Sequence, residues 1–207
     1  MRVLFRRSAF LTVLVLVLQT ARLTAAELPK PEVYKLPNGL TVILQEDHSS
    51  PAVAFQMWVH VGGSDEPASE EGIAHLFEHM LFKGTKKRAV GQIGREISAA
   101  GGEINAYTAN DQTVFHLVLD SKNFDTGLDV LADATQHSSF DPKELKKEKE
   151  VVIEEIRRDS DDPDRALWDN LESTAYRVHP YHRPVIGTIA TVRAIERPQM
   201  LAFFHEW

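Results

Sequence analysis

His75, Glu78 and His79 fall in the run His75-Leu76-Phe77-Glu78-His79, a spacing that gathers three polar side chains on one face of a helix. Residues four apart lie one above the other. At 100° per residue, all three fall within about 100° of arc. Their neighbours Ile73, Ala74, Leu76, Phe77, Met80, Leu81 and Phe82 are apolar, so the helix is expected to be buried. Buried imidazoles and carboxylates need partners. A divalent metal suits two neutral imidazoles, and zinc is the usual one. Hydrogen-bonded core histidines are the alternative. A third ligand separates the two, because catalytic zinc sites keep three protein ligands and one open position.

A second helix offers that third ligand. Asp141 can cap it and Pro142 suits its first turn, starting a helix that runs toward Asp159. Leu145, Val152 and Ile156 form its apolar stripe, flanked by Val151 and Ile153. Glu148 and Glu155 are two turns apart on one edge of that stripe, whereas Glu154 points about 180° away. The wheel therefore selects Glu155 as an inward carboxylate. Lys146, Lys147, Glu150, Glu154, Arg157 and Arg158 suit a solvated face.

The His-x-x-Glu-His order is the reverse of the common zinc-peptidase motif. With Gly72–Thr85 around it, Gly102–Thr108 and Glu148–Ile156, the chain resembles the pitrilysin (insulinase) family of zinc metallopeptidases, and within it the processing-peptidase-like bacterial branch. The resemblance runs from about Val33 to the end of the chain. It implies a zinc site completed by a glutamate about 76 positions after the second histidine, and Glu155 stands 76 after His79. It also implies an assisting glutamate seven positions earlier, which is Glu148. That side chain can bond a ligand, orient the water, or simply pair with a nearby lysine on the surface.

The implied activity is a zinc endopeptidase acting on peptides or unfolded segments. His75, His79 and Glu155 would hold one Zn²⁺, which lowers the pKa of its bound water toward about 7. By resemblance Glu78 is the general base, a function typically worth about 10²–10⁴-fold. Glu103–Thr108 reads as a short strand, forming a hairpin with 112–119. The resemblance makes it a sheet edge that pairs with the substrate backbone, assigning substrate binding to Asn105 and Ala106. An ordinary edge strand is the plainer reading. The other histidines show no ligand-like pairing with this site.

The chain begins with Arg2, Arg6 and Arg7 followed by an apolar run from Ala9 to Leu18, and Thr24-Ala25-Ala26 offers a cleavage site. Residues 1–26 thus read as a secretory signal and 27–207 as one peptidase domain. Export to a bacterial periplasm is expected, with membrane attachment only if the signal stays uncleaved. Residues 27–207 carry 19 basic and 30 acidic side chains, a formal charge of −11, which argues against nucleic-acid binding. Zero cysteines exclude a disulfide framework and a thiolate zinc site.

The remaining pattern reads as α+β, a mainly antiparallel sheet with helices packed on one face. Strands are expected over 33–36 and 40–44 around Asn38-Gly39, and over 52–61. Helices are expected over 90–100, 123–137 (with Phe124, Leu128 and Leu131 inward) and 165–176. The chain stops within an apparent helix at Phe203–Trp207, so the domain is expected to be incomplete at its C-terminus. The resemblance also implies a second homologous domain or subunit. A noncatalytic peptide-binding or scaffolding subunit is the competing function. Intact His75, His79, Glu155 and Glu78 argue against it.

Overall fold

The computed structural model describes residues 29–207, so the segment read as a signal lies outside the described residues. Two units divide the chain, Met1–Ser50 and Pro51–Trp207. In the first, β1 (Glu32–Lys35) pairs antiparallel with β2 (Thr41–Leu44). Their turn uses Gly39 at φ +94, and the Leu40 amide donates to Asn38 Oδ1 at 3.2 Å. The Asn-Gly reading of this hairpin therefore holds.

The second unit holds a three-stranded antiparallel sheet in the order β3 (Ala52–Val59), β5 (Thr113–Asp120), β4 (Glu103–Thr108). Alternation sends Phe55, Met57, Phe115 and Leu117 to one face, where helices cover them. The other face leaves Trp58, Tyr107 and Val118 exposed. Because β5 is central, β4 is an edge strand of this sheet. The α+β expectation with helices on one face is met. Strand β3 stops at Val59 rather than Val61, although Val61 is still buried.

Helices α1 (Ile73–Leu81), α2 (Gln92–Ala99), α3 (Phe124–His137), α4 (Pro142–Ser160), α5 (Pro163–Ala175), α6 (Ile189–Ala194) and α7 (Arg197–Glu206) complete the unit. Helix α2 begins at Gln92, two residues later than expected, because Gly91 caps it in the left-handed region. Its expected first residue, Val90, is exposed. Helix α5 begins at Pro163, where Asp162 accepts from the amides of Asp164 and Arg165. Among the described residues no helix is long and apolar enough to cross a membrane.

One expectation about α3 fails. Phe124 and Leu128 are 44% and 48% exposed, while Gly127, Val130, Leu131 and Ala134 are buried. The helix approaches the sheet through its small residues. A Cβ on Gly127 would lie 2.6 Å from Leu119 Cδ2 and 2.9 Å from Phe55 Cε2, so the closest approach to the sheet has no room for a side chain. Phe124 still touches the rim of Phe55, with ring centroids 5.0 Å apart.

Two apolar clusters form the core. One gathers Phe140, Leu145, Val152, Ile153, Val192, Met200 and Phe203, and the other gathers Phe115, Leu117, Leu119, Ile93 and Ile97. Helix α1 feeds both. Ile73, Ala74, Leu76 and Met80 enter the first, Leu81 enters the second, and Phe77 packs against each. Its N-terminus is fixed by backbone approach, because a Cβ on Gly72 (φ +91) would lie 2.6 Å from the Ile186 carbonyl oxygen. One on Gly187 (φ +76) would lie 2.4 Å from that of Glu71. Gly187→Ala should therefore cost about 2 kcal/mol or more, read as a lower midpoint in urea unfolding.

Candidate metal centre

Helices α1 and α4 pack together, and their facing sides carry the polar groups singled out by spacing. Asp141 accepts from the amides of Lys143 and Glu144 at 2.8 and 3.2 Å, starting α4 with Pro142 in its first turn. Leu145, Glu148, Val152 and Ile153 are buried along it, Ile156 is half-buried, and Glu154 is exposed. The buried face is therefore turned toward Ile153, away from Val151, which is exposed.

His75, His79 and Glu155 converge, each offering one ligand atom within 4.8 Å of the others. Glu155 Oε2 stands 3.9 Å from His75 Nε2 and 3.6 Å from His79 Nε2, too far for good hydrogen bonds. Donors bonded at about 2.1 Å to a tetrahedral ion lie about 3.4 Å apart, so the observed spacing is close to what zinc requires. His75 Nδ1 is buried without a partner among the described residues. A largely buried ring whose Nδ1 has no partner and whose Nε2 meets Glu155 only at 3.9 Å is costly unless something binds it. Burial, reinforced by His79 and Arg165, lowers the His75 pKa to about 3. The ring is therefore neutral at ordinary pH, with a lone pair to donate. Two imidazoles, that of His75 held neutral, and a carboxylate form a donor set that fits zinc.

Glu148 stands behind the pair rather than in it. Its Oε2 lies 3.2 Å from His79 Nδ1, and its Oε1 lies 2.7 Å from Lys83 Nζ. Both partners foreseen for it, a ligand and a lysine, are present, but Glu148 itself is buried. A carboxylate at Nδ1 fixes the ring tautomer that leaves Nε2 free. Glu78 lies one residue before His79 on the same helix face, with the Thr108 hydroxyl donating to its Oε2 at 2.5 Å. Burial raises its pKa, against the pull of the Thr108 hydrogen bond and His79. Asn105 and Ala106 lie on β4, and the Asn105 Oδ1 accepts from the Ala106 amide at 2.9 Å. Among the described residues, no other histidine joins a metal-sized cluster.

The insulinase (peptidase family M16) model matches residues 41–189. The chain belongs to the insulinase family. It is 37% identical over 171 residues to an uncharacterized zinc protease of Rickettsia bellii, covering 83% of this chain and 42% of that one. It is 34% identical over 172 residues to a probable mitochondrial-processing peptidase subunit beta of Arabidopsis thaliana, covering 83% and 32%. A solved protease from Helicobacter pylori superposes with a TM-score of 0.82 at 30% identity, covering 86% of this chain and 43% of that one. The chain thus spans less than half the length of these relatives.

Three contributors were not visible in the sequence of this family member. Glu66 is buried, and its carboxylate accepts from the amides of Gly72 and Ala74 at 2.9 and 2.8 Å, capping α1. Arg183 Nη2 donates to the Glu66 carbonyl at 3.0 Å, and Thr108 holds Glu78. Glu66 lies too far upstream to match a capping box, so no local pattern marks it. Burial pushes its pKa from 4.5 to about 7. The folded state holds this proton more tightly, so its contribution to stability falls as pH rises from about 4.5 to 7. Glu66→Gln should flatten that decline, measured as the urea midpoint against pH.

Proposed function

We propose that this chain is the zinc-holding half of a metalloendopeptidase that hydrolyses peptides or unfolded segments. The observation carrying this reading is the convergence of two imidazoles and the Glu155 carboxylate beside a half-buried, singly tethered Glu78. His75, His79 and Glu155 would hold the ion. When bound there, zinc supplies a Lewis acid that polarises the scissile carbonyl and acidifies a water.

Glu78 takes the proton from the attacking water at Oε1, the oxygen that Thr108 leaves free, and returns it to the leaving amine. Its raised pKa suits both halves of that exchange. Glu148 keeps His79 oriented through Nδ1 and so acts as a positioning group. The free edge of β4 receives the substrate as an added strand, with main-chain bonds that tolerate varied side chains. The Asn105 carboxamide shields the Ala106 amide until the substrate replaces it. A second homologous domain or subunit closes the site, a reading supported by the greater length of the relatives. The basic and apolar start of the chain supports export, with the periplasm as the destination.

Metal analysis and a quenched-peptide assay, with and without chelator, test this reading once the missing half is supplied. Glu78→Gln should retain zinc and lose about 10²-fold or more in turnover. A zinc-loaded Glu78→Gln protein with full activity would overturn the role. His75→Ala and Glu155→Ala should lose the metal itself. Glu148→Gln should weaken zinc binding by about 10–100-fold, read by competition with a chromogenic chelator.

A further inference from the structure

Thr108 is the last residue of β4, and its side chain lies on the helix-covered face of the sheet, as Ala106 does. Its hydroxyl reaches α1 across 30 positions of sequence and donates to Glu78 Oε2 at 2.5 Å. This is a short, charge-assisted bond in a partly buried setting. We infer that Thr108 is a positioning residue for the peptidase reaction, holding the Glu78 carboxylate in the single orientation that turns Oε1 to the attacking water.

The inference rests on the peptidase reading above, and three features of the chain support it. A glutamate side chain rotates about its terminal torsion in a broad, roughly two-fold well, so it does not fix its own carboxylate plane. No side chain of α1 donates a hydrogen bond to Glu78, since His75 Nδ1 is buried without a partner and its Nε2 faces Glu155. The residues around Glu78 at helical spacing are Ala74, Leu81 and Phe82, all apolar, together with His75. The donor must therefore come from the sheet, and Thr108 is the residue that provides it.

Thr108 is itself held firmly. It pairs with Thr113 across the hairpin, and the Thr113 hydroxyl donates to the Val61 carbonyl at 3.0 Å. The next residue closes the turn, with the Ala109 amide donating to the Gln112 carbonyl at 2.8 Å. The turn is tied to the loop before α1, because the amides of Gly63 and Ser64 donate to the carbonyls of Ala109 and Asn110 at 3.1 and 2.8 Å. A Cβ on Gly62 would lie 2.2 Å from the Ala109 oxygen, so this approach requires glycine. The hydroxyl is thus presented from a turn braced on two sides. The edge strand proposed to receive substrate ends on the residue that orients the base, so strand addition and proton transfer share one rigid element.

The test compares the zinc-loaded wild-type protein with Thr108→Val, which keeps the shape and strand preference but removes the donor, and with Thr108→Ser, which restores it. Crystal structures should show one Glu78 carboxylate orientation in the wild type and Thr108→Ser, and more than one in Thr108→Val. In the protein with its second half supplied, Thr108→Val should lower kcat by about ten-fold or more, with KM and zinc content unchanged and Thr108→Ser recovering most of the loss. An unchanged Glu78 orientation in Thr108→Val would overturn the inference, as would an unchanged kcat or a loss of zinc in step with activity. If the wild type cleaves no peptide, the peptidase reading fails, and the comparison of structures still decides whether Thr108 orients Glu78.

Discussion

The structure depends on keeping ionisable groups inside an apolar helix pair. Helix α1 is wedged between two hydrophobic clusters, with its apolar side chains buried or packed against them and His75, Glu78 and His79 half-buried. Burial would expel His75, Glu78 and His79 if they lacked partners. Each therefore has an assigned neighbour: Glu155 for the two Nε2 atoms, Glu148 for His79 Nδ1, and Thr108 for Glu78. The same low polarity that makes the arrangement costly keeps His75 neutral and Glu78 easier to protonate. Site chemistry and core packing are one constraint.

A second layer holds the helix in place. Glu66 caps its start, Arg183 grips the backbone of the loop that carries Glu66, and Gly72 and Gly187 let two backbones meet almost without side chains between them. The segment around 183–188 is remote in sequence from α1 but abuts its first turn. The register of the histidine pair is thereby set from outside the helix as well as by its own apolar stripe. Glu148 adds a tie from α4, through both His79 and Lys83.

Much of this was legible in the sequence because it depends on periodicity. A helix wheel separated Glu155 from Glu154, and the structure places Glu155 with the histidines and Glu154 in solvent. Asp141-Pro142 marked the start of α4, and the hairpin of β4 and β5 followed from its turn residues. Legibility ended where packing takes the small residue over the large one. Phe124 and Leu128 looked like core, yet α3 meets the sheet through Gly127 and Ala134, because close approach leaves no room for a ring. Thr108, Glu66 and Arg183 stayed hidden for a different reason. Each acts across a long sequence separation through a hydrogen bond, and hydrogen bonds of that kind leave no period to read.

The 76 positions between His79 and Glu155 have a consequence for how the site comes into being. Without the docked helices, His75 and His79 alone offer a divalent ion two imidazoles four positions apart, which is a weak chelate. Bringing the third donor to them closes a loop whose entropy cost is about 4 kcal/mol, and the hairpin of β4 and β5 lies inside that loop. The three-donor site therefore exists only where the sheet and α4 are in place. An ion bound at all three donors then acts as a clasp on a finished fold, adding its binding energy to the resistance of the domain against unravelling.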